Sequence, residues 1–252
     1  MMALERIRES PQPLSLMEVS TELGLTKASV FRLLYTLESL HYLCKTPDGR
    51  YFAPPQARHH ELLHHGSEPL ERLSMEFCET ASMAALFENH IEVVAVFESS
   101  QLMRMGNTPG RILPPNASSL GKAVAAFQSS AISEKLIRSY GMHSFTPNTI
   151  TDEIALREEF AQIRERGFAE DMEESVAGGR CFAAPILRAS GFAIGAVSLS
   201  MPMIRFRGEE QQRVILTAVR KTARAIEKRL LPVISTASEL TAPEGRGSKN
   251  VR

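Results

Sequence analysis

The chain has 252 residues, and its 29 basic side chains balance 29 acidic ones, so net charge indicates neither a polyanionic nor a polycationic partner. Its three cysteines are far apart and form no C-x-x-C pair, which argues against a disulfide framework or a cysteine zinc site. The opening MMALERIRES lacks the apolar core of a signal peptide, and no apolar run approaches the roughly 18 residues that would span a bilayer. We therefore expect a soluble, cytoplasmic protein with no membrane partner.

Residues 14–52 carry the signals of a small helical unit followed by a hairpin. Ser15 is predicted to cap a first helix that ends at Gly24, and Thr26 is predicted to cap a second helix directly afterwards. Two short strands, at 42–45 and 51–52, flank a Pro-Asp-Gly turn. The apolar positions at helical spacing are Leu16, Val19 and Leu23 in the first helix, and Val30, Leu33, Leu34, Leu37 and Leu40 in the second. Helix, glycine turn, helix and hairpin is the order of a winged helix-turn-helix.

The face of the second helix opposite this apolar stripe is small, hydroxylated and basic. Such side chains suit close approach to phosphates and base edges, and a solvated helix face is the alternative. Between residues 25 and 52, four basic residues against two acidic ones favour DNA as the partner. Residues 1–57 as a whole have no basic excess, so non-specific binding to DNA should be modest. The residues of this face are Thr26, Lys27, Ala28, Ser29, Arg32, Tyr35 and Ser39.

The stretch HHELLHH at 59–65 contains the H-E-x-x-H pattern of zinc metalloproteases. On a helix, His60 and His64 would face one metal ion while Glu61 acted as general base. The extended form of the pattern fails, because positions 67 and 70 hold serine and leucine where it requires glycine and histidine. A zinc hydrolase remains a remote alternative, and a surface helix with solvated histidines is the favoured interpretation.

The remaining elements alternate between helical and strand-like patterns. A helix over about 57–80 is predicted to break near Gly66 and Pro69. Further helices are predicted at 116–127, from Thr151 to Gly167, and at 208–231, and strands are predicted at 91–97, 181–187 and 192–200, the last two joined by the turn Arg-Ala-Ser-Gly. The stretch after residue 235 is polar and aperiodic and is predicted to be disordered.

Several stretches resemble, in order and spacing, the IclR family of transcription regulators. SLMEVSTELGLTKASVFRLLYTLESLHYL, with GRYFAP after it, resembles that family's DNA-binding domain. LPPNASSLGKAVAAF, FTPNTITDEIAL, RERGFAEDMEESVAGGRCFAAPIL and AVSLSMP resemble its effector-binding domain. The resemblance covers roughly residues 14–232, and its several independent segments make it more specific than any single short motif.

The resemblance implies an α+β protein with three structured parts. These are a winged helix-turn-helix DNA-binding domain at 1–57, a linker helix at 58–79 and a GAF-like α/β effector-binding domain at 80–234. The tail at 235–252 is the stretch that its composition predicts to be disordered. A central, mostly antiparallel sheet is expected in the effector-binding domain. The family usually forms dimers or dimers of dimers, so a homodimer or homotetramer is expected on a palindromic operator in double-stranded DNA. MALERIRES is short for the family's opening helix, which suggests a natural start further upstream.

The resemblance also implies which residues touch DNA. The recognition helix would run over 27–39 and the wing over 45–52, with the helix in the major groove. Arg32 is the first candidate for base reading, and Lys27, Ser29 and Arg50 are candidates for phosphates. The full predicted set is Thr26, Lys27, Ser29, Arg32, Tyr35, Lys45 and Arg50.

The predicted effector site combines an apolar side with polar contacts. By resemblance, its residues are Leu102, Met105, Ser119, Leu120, Gly121, Asp171, Cys181, Ser198 and Ser200. A helix N-terminus at 119–121 would suit an anion, and residues 198 and 200, two apart on a strand, would point to one face. These groups suit a small organic or aromatic acid. Leu120 is bulkier than the glycine or alanine common in the family, which would narrow the anion site.

The sequence therefore predicts a sequence-specific transcriptional regulator, repressor or activator, controlled by a small-molecule effector. No catalytic residue, cofactor or metal is predicted, since no G-x-S-x-G elbow, G-x-G-x-x-G loop or Walker pattern occurs and Cys181 has no recognisable histidine partner. Two alternatives remain open besides the zinc hydrolase. One is a metabolite-binding interaction protein that does not bind an operator, and the other is an enzyme that uses Cys181 or Asp171.

Overall fold

The structure, a computed structural model, describes residues 2–10, 12–39, 42–52 and 55–230. The predictions for the tail at 235–252 and for Leu40 lie outside these residues. Within them the protein is an α+β molecule, with a small helical unit and hairpin followed by a five-stranded antiparallel sheet between helices. Every helix among the described residues is too short or too polar to span a bilayer.

The first unit is a winged helix-turn-helix, as predicted. It comprises helices α1 (Met2–Glu9), α2 (Leu16–Leu23) and α3 (Lys27–Ser39) and the hairpin of β1 (Cys44–Lys45) and β2 (Tyr51–Phe52). Ser15 and Glu18 form a reciprocal capping box at the start of α2, and Gly24 ends that helix in the left-handed conformation, with φ 63°. The unit has its own core of buried side chains, formed by Ala3, Leu4, Ile7, Leu14, Val19, Val30, Leu34, Leu43 and Tyr51.

Helix α4 (Pro55–Phe77) runs without a break through Gly66 and Pro69, so the predicted interruption is wrong. Pro69 cannot donate to the carbonyl of His65, and Arg229 supplies a replacement by donating Nη1 to that oxygen at 3.3 Å. Gly66 is required for packing, since a Cβ there would lie 2.6 Å from Sδ of Met83. Contacts with the rest of the protein therefore override two local helix-breaking signals.

The sheet contains β3 (Thr80–Leu86), β4 (Ile91–Phe97), β5 (Ala169–Met172), β6 (Gly179–Leu187) and β7 (Ala193–Pro202). Its strand order is β4-β3-β7-β6-β5, and every neighbouring pair is antiparallel. The predicted strands at 91–97, 181–187 and 192–200 are confirmed as β4, β6 and β7. Strands β3 and β5 were not predicted, because TASMAAL and AEDM lack the β-branched alternation that indicates a strand.

Helices cover both faces of the sheet. One face packs against α5 (Ser119–Ala126), α6 (Ser130–Tyr140) and α7 (Glu153–Arg166), and the other packs against α4 and α8 (Glu209–Leu230). A single 3₁₀ turn (Met203–Arg205) joins β7 to α8. Helix α6 was not predicted, the helix expected to start at residue 116 starts at Ser119, and α7 is capped by Asp152 rather than by Thr151. Gly167 ends α7 as predicted, with φ 75°.

Candidate DNA-binding surface and effector site

The outer face of α3 is exposed and carries the predicted polar residues. Lys27, Ser29, Arg32 and Tyr35 are all exposed, while Val30 and Leu34 on the opposite side are fully buried. Thr26 has a structural role as well, since its Oγ1 accepts the backbone N–H of Ser29 at 3.3 Å and lies 2.9 Å from the Ser29 hydroxyl. The helix therefore presents basic and hydroxyl groups on a rigid, internally packed support.

Phe31 also belongs to this exposed face and was missed at the level of sequence. Its side chain is 52% exposed, and its ring stacks on Tyr35 with centroids 6.4 Å apart. Its position on the helix could have predicted this exposure. At about 100° per residue, Phe31 falls outside the apolar stripe that is centred between Val30 and Leu34.

The two basic residues of the wing differ in their availability. Arg50 donates Nη1 to the carbonyl of Pro13 at 2.9 Å and to Oε2 of Glu18 at 3.2 Å, and its Nε lies 3.6 Å from Asp48. Lys45 is exposed, with Nζ 5.2 Å from the centre of the Tyr51 ring. Lys45 can therefore reach an external phosphate, whereas the guanidinium of Arg50 connects the wing to α2.

Sheet register gathers four predicted effector residues on one face. Asp171 pairs with Cys181, Cys181 pairs with Ser200, and Ser200 pairs with Thr80, so these residues form a row across β5, β6, β7 and β3. A second row, two residues along, contains Ser198 opposite Ser82. Alternation places both rows on the face covered by α5. We call these side chains the polar rows: Thr80, Ser82, Asp171, Cys181, Ser198 and Ser200.

The N-terminus of α5 packs over this face. Ser118 caps the helix by accepting the N–H of Gly121, and Ser119, Leu120 and Gly121 are all buried. Neither the N–H of Ser119 nor that of Leu120 has a hydrogen-bond acceptor among the described residues, as expected in a first helical turn. Two N–H donors are thus left at the predicted anion site.

Asp171 is buried and bound by its own turn. Its Oδ1 accepts the backbone N–H of Glu174 at 2.7 Å and of Ser175 at 3.2 Å, and its Oδ2 accepts the Ser175 hydroxyl. Burial raises the pKa of this carboxyl, against the lowering effect of the hydrogen bonds and of Lys122. These bonds indicate that Asp171 shapes the 173–175 turn, and its predicted contact with an effector stays a prediction.

Cys181 lies in the same row, with a pKa raised to about 12. Burial is the main cause, the negative charge of Asp171 adds to it, and a hydrogen bond from Ser200 and the charge of Arg111 oppose it. The thiol therefore stays protonated at neutral pH, which makes it a poor nucleophile.

Arg111 was missed by the sequence reasoning. It lies on an extended segment that pairs with β4, and alternation turns its side chain to the same side as buried Leu113, the side that faces α5. The guanidinium is exposed and makes no ion pair within the described residues. A free cation near the polar rows suits an acidic ligand.

The segment at 98–112 covers part of the polar rows. Nδ2 of Asn107 donates to the Ser82 hydroxyl at 3.2 Å, and Met105 packs so tightly on Gly179 that a Cβ there would lie 2.8 Å from its Cε. Leu102 is fully exposed and is not brought to this face. Of the two predicted apolar residues, only Met105 therefore lies near the polar side chains.

A buried ion pair ties α5 to the turn after β5. Nζ of Lys122 lies 2.7 and 2.6 Å from the two carboxylate oxygens of Glu174, and 3.7 Å from Glu159. Lys122 is 1% exposed, and burial raises the pKa of Glu174 while Lys122 opposes that rise. A cavity of about 480 Å³ lies beside this pair, on the outer side of β5. None of the predicted effector residues lines this cavity, which is bordered mainly by Lys122, Glu159, Arg166, Glu170, Glu173 and Glu174.

The H-E-x-x-H histidines, His60 and His64, lie on α4 beside His65. Among the residues whose side chains are described, no three histidine, cysteine, aspartate or glutamate side chains are close enough together to hold an ion. His60 and His64 are exposed, and partial burial lowers the pKa of His65. Helix α4 continues past His64, and no third ligand accompanies His60 and His64 among the residues whose side chains are described.

Comparison with known proteins identifies the family. The model of the IclR helix-turn-helix domain matches residues 1–47, and that of the bacterial transcriptional regulator IclR C-terminal domain matches residues 56–228. The transcriptional repressor IclR of Escherichia coli is 32% identical over 213 residues, which is 80% of this chain and 78% of that protein. The chain therefore belongs to the IclR family of bacterial transcriptional regulators, which bind DNA through the N-terminal domain and small-molecule effectors through the C-terminal domain.

Solved structures share the fold of this chain. The Thermotoga maritima IclR structure, at 22% identity, shares the fold with a TM-score of 0.63, covering 91% of this chain and 96% of that one. The PobR inducer-binding domain of Acinetobacter, solved as a double mutant in complex with 3-hydroxybenzoic acid, is 27% identical with a TM-score of 0.56, covering 64% of this chain and 94% of that one.

Proposed function

We propose that this regulator reads its operator with Arg32 at the centre of the exposed face of α3. The observation that carries this proposal is the separation of the two sides of α3, one fully buried and the other exposed, hydroxylated and basic. A guanidinium can donate to O6 and N7 of a guanine at once, whereas Lys27 and Ser29 at the helix start suit phosphates. Lys45 extends the contact to the backbone beside the groove, and Arg50 braces the wing against α2.

The effector in this proposal is a small organic acid that binds between the polar rows and the N-terminus of α5. Ser198, Ser200 and the free N–H groups at the start of α5 provide hydrogen bonds, and Arg111 provides a positive charge. The complex of the Acinetobacter neighbour with 3-hydroxybenzoic acid supports an aromatic acid as one candidate. Entry requires the segment at 98–112 to move, because Asn107 and Met105 contact the covered face.

Control in this proposal follows from two arrangements of a homodimer or homotetramer in the cytoplasm. An effector that binds one arrangement more tightly shifts the population toward it and changes the spacing of the two α3 helices on a palindromic operator. No catalytic step is part of the proposal, in keeping with the protonated thiol of Cys181.

Capture of fragmented genomic DNA, followed by sequencing, tests the DNA-binding half. Wild-type protein should enrich a short palindrome, and Arg32→Ala should bind it about fivefold to 160-fold more weakly, since one bidentate contact contributes about 1–3 kcal/mol. Arg213→Ala is the matched control, because Arg213 is also an exposed helical arginine but lies on α8. Equal binding by wild type and Arg32→Ala would favour the alternative of an interaction protein without operator binding.

Titration calorimetry with benzoate, 3-hydroxybenzoate and small aliphatic carboxylates tests the effector half. We expect one class to bind wild type, and Arg111→Gln and Ser198→Ala each to weaken it. Arg104→Gln is the control, since Arg104 lies in the same covering segment but pairs with Glu98. Binding unchanged in both site variants would place the ligand elsewhere.

A further inference from the structure

Phe31 and Tyr35 form an exposed aromatic pair on the DNA-facing side of α3. Their exposed fractions are 52% and 62%, and their rings stack with an interplanar angle of 22°. The core of this unit is already closed on the opposite side by Val30, Leu34 and other buried residues. The pair therefore contributes nothing to that core and leaves apolar surface available to a partner.

Helical geometry places this pair beside the base-reading arginine. At about 100° per residue, Tyr35 falls between Phe31 and Arg32 around the helix axis. Lys27, Arg32 and Ser39 are all exposed and lie three or four residues from one of the two rings, so basic and hydroxyl groups border the pair on the helix surface. A small apolar patch bordered by polar groups is complementary to the major groove of DNA. There the thymine methyl group is an apolar feature among polar base edges and phosphates.

We infer that Phe31 packs against the C5 methyl group of a thymine next to the base pair read by Arg32. This inference rests on the proposed binding of DNA by α3 and adds a second determinant of its sequence preference. Thymine differs from uracil only by this methyl group, so the contact selects thymine at one position in each half-site. Burial of a single methyl group corresponds to about a threefold to fivefold difference in affinity.

The test removes the methyl group from DNA and the ring from the protein. A duplex selected by wild-type protein from a random-sequence pool is remade with deoxyuridine in place of each thymine in turn, and affinities are measured by fluorescence anisotropy. Wild type should lose about threefold to fivefold at one symmetric pair of positions. Phe31→Ala should bind the parent duplex more weakly and be insensitive to deoxyuridine at those positions. Ile154→Ala, an equally apolar and exposed change on α7, should behave as wild type.

Each outcome bears on the inference separately from the function. If wild type selects a duplex but no deoxyuridine position distinguishes it from Phe31→Ala, the methyl contact is wrong and DNA binding stands. If Phe31→Ala fails to bind at all while its circular dichroism matches wild type, Phe31→Leu, which keeps apolar bulk, must retain the methyl preference for the inference to survive. If Phe31→Ala instead reduces the oligomeric state, the pair contacts a second copy and the inference is wrong. If wild type selects no duplex, the proposed function and this inference both fail.

Discussion

Lys122 is a lysine held in the interior by two acidic side chains. With 1% of its surface exposed, it makes a two-oxygen ion pair with Glu174 and a longer contact with Glu159, which also pairs with Arg166 at 2.6 Å. Glu174 also lies within the 173–175 turn that Asp171 stabilises. The Lys122–Glu174 pair thus connects α5 with the turn after β5, two segments that both carry predicted effector residues or adjoin them.

Replacing Lys122 alone should be severe. Lys122→Met leaves Glu174 buried without its counter-charge, and we expect a loss of about 3–5 kcal/mol in the free energy of unfolding, measured by urea denaturation. Replacing both partners with apolar residues, as in Lys122→Met with Glu174→Leu, should recover much of this loss. Arg213→Ala, which disrupts an exposed ion pair, is the control and should change stability little. A double variant no more stable than Lys122→Met would contradict this account.

Asp171 should make stability fall as pH rises. Burial raises its folded pKa above the unfolded value near 4, so between these values the folded protein binds more protons than the unfolded chain. The contribution of Asp171 is therefore most favourable at low pH and is lost as pH rises through the folded pKa. Asp171→Asn keeps an oxygen acceptor for the N–H of Glu174 and should remove this dependence.

The measurement is the free energy of unfolding of wild type and Asp171→Asn at several pH values from 4 to 7. The difference between them should shift in favour of the variant as pH rises. Ser175→Ala is a useful companion, because the Ser175 hydroxyl lowers the pKa of Asp171 and its loss should extend the dependence to higher pH. A pH-independent difference would show that the folded pKa of Asp171 is not raised.

At the scale of elements, α5 is fixed by close contact with the loop before it. A Cβ on Gly121 would lie 2.3 Å from the carbonyl oxygen of Pro114, a backbone atom that cannot rotate away. Gly121→Ala should therefore displace the start of α5 and destabilise the protein by about 1–3 kcal/mol, measured by thermal or urea unfolding. Carboxylate binding should weaken in parallel, since the free N–H groups belong to the same turn.

Gly106→Ala is the matched control for this change. Gly106 lies on the covering segment, and a Cβ there would have nothing within 4 Å. We expect a change within about 0.5 kcal/mol, as for surface substitutions in general. Equal effects of the two variants would mean that the close approach at Pro114 is unimportant.

Elements with strong local signals were predictable, and those that depend on distant contacts were not. Ser15, Gly24 and the spacing of Val19, Val30 and Leu34 located α2 and α3 because capping and helical periodicity act over a few residues. The break expected in α4 was wrong because Arg229, far along the chain, satisfies the carbonyl that Pro69 leaves free.

At the scale of the whole molecule, α4 connects the DNA-binding unit to the sheet. It packs on α8, with Glu68 and Arg229 paired at 2.8 Å, and its Leu62 and Leu70 belong to the core beneath the sheet. The proposed control of DNA binding by an effector would therefore act through α4. Because 29 basic residues balance 29 acidic ones, the protein as a whole attracts DNA only weakly. Contacts with the operator must therefore supply most of the preference for it over other DNA.

Binding of the effector and binding of the operator should each change the affinity for the other. If the effector changes operator affinity by some factor, typically about fivefold to 150-fold, saturating operator DNA must change effector affinity by the same factor. Anisotropy with labelled operator measures the first factor, and calorimetry with and without operator measures the second. Arg111→Gln should shift the effector dependence of operator binding to higher effector concentration while leaving operator affinity without effector unchanged. If neither ligand changed the affinity for the other in wild type, the effector would not control operator binding.

The winged helix-turn-helix, the hairpin of β6 and β7, the family and the residue types of both candidate sites were predictable from sequence, because they depend on short-range patterns and on segments that keep their order. Which side chains contact one another followed only from the folded structure. Register between distant strands brought Asp171, Cys181 and Ser200 into one row, and packing paired Lys122 with Glu174. It also left Leu102 and Phe31 exposed. Such outcomes depend on contacts between residues far apart in the chain, for which no local pattern carries a signal.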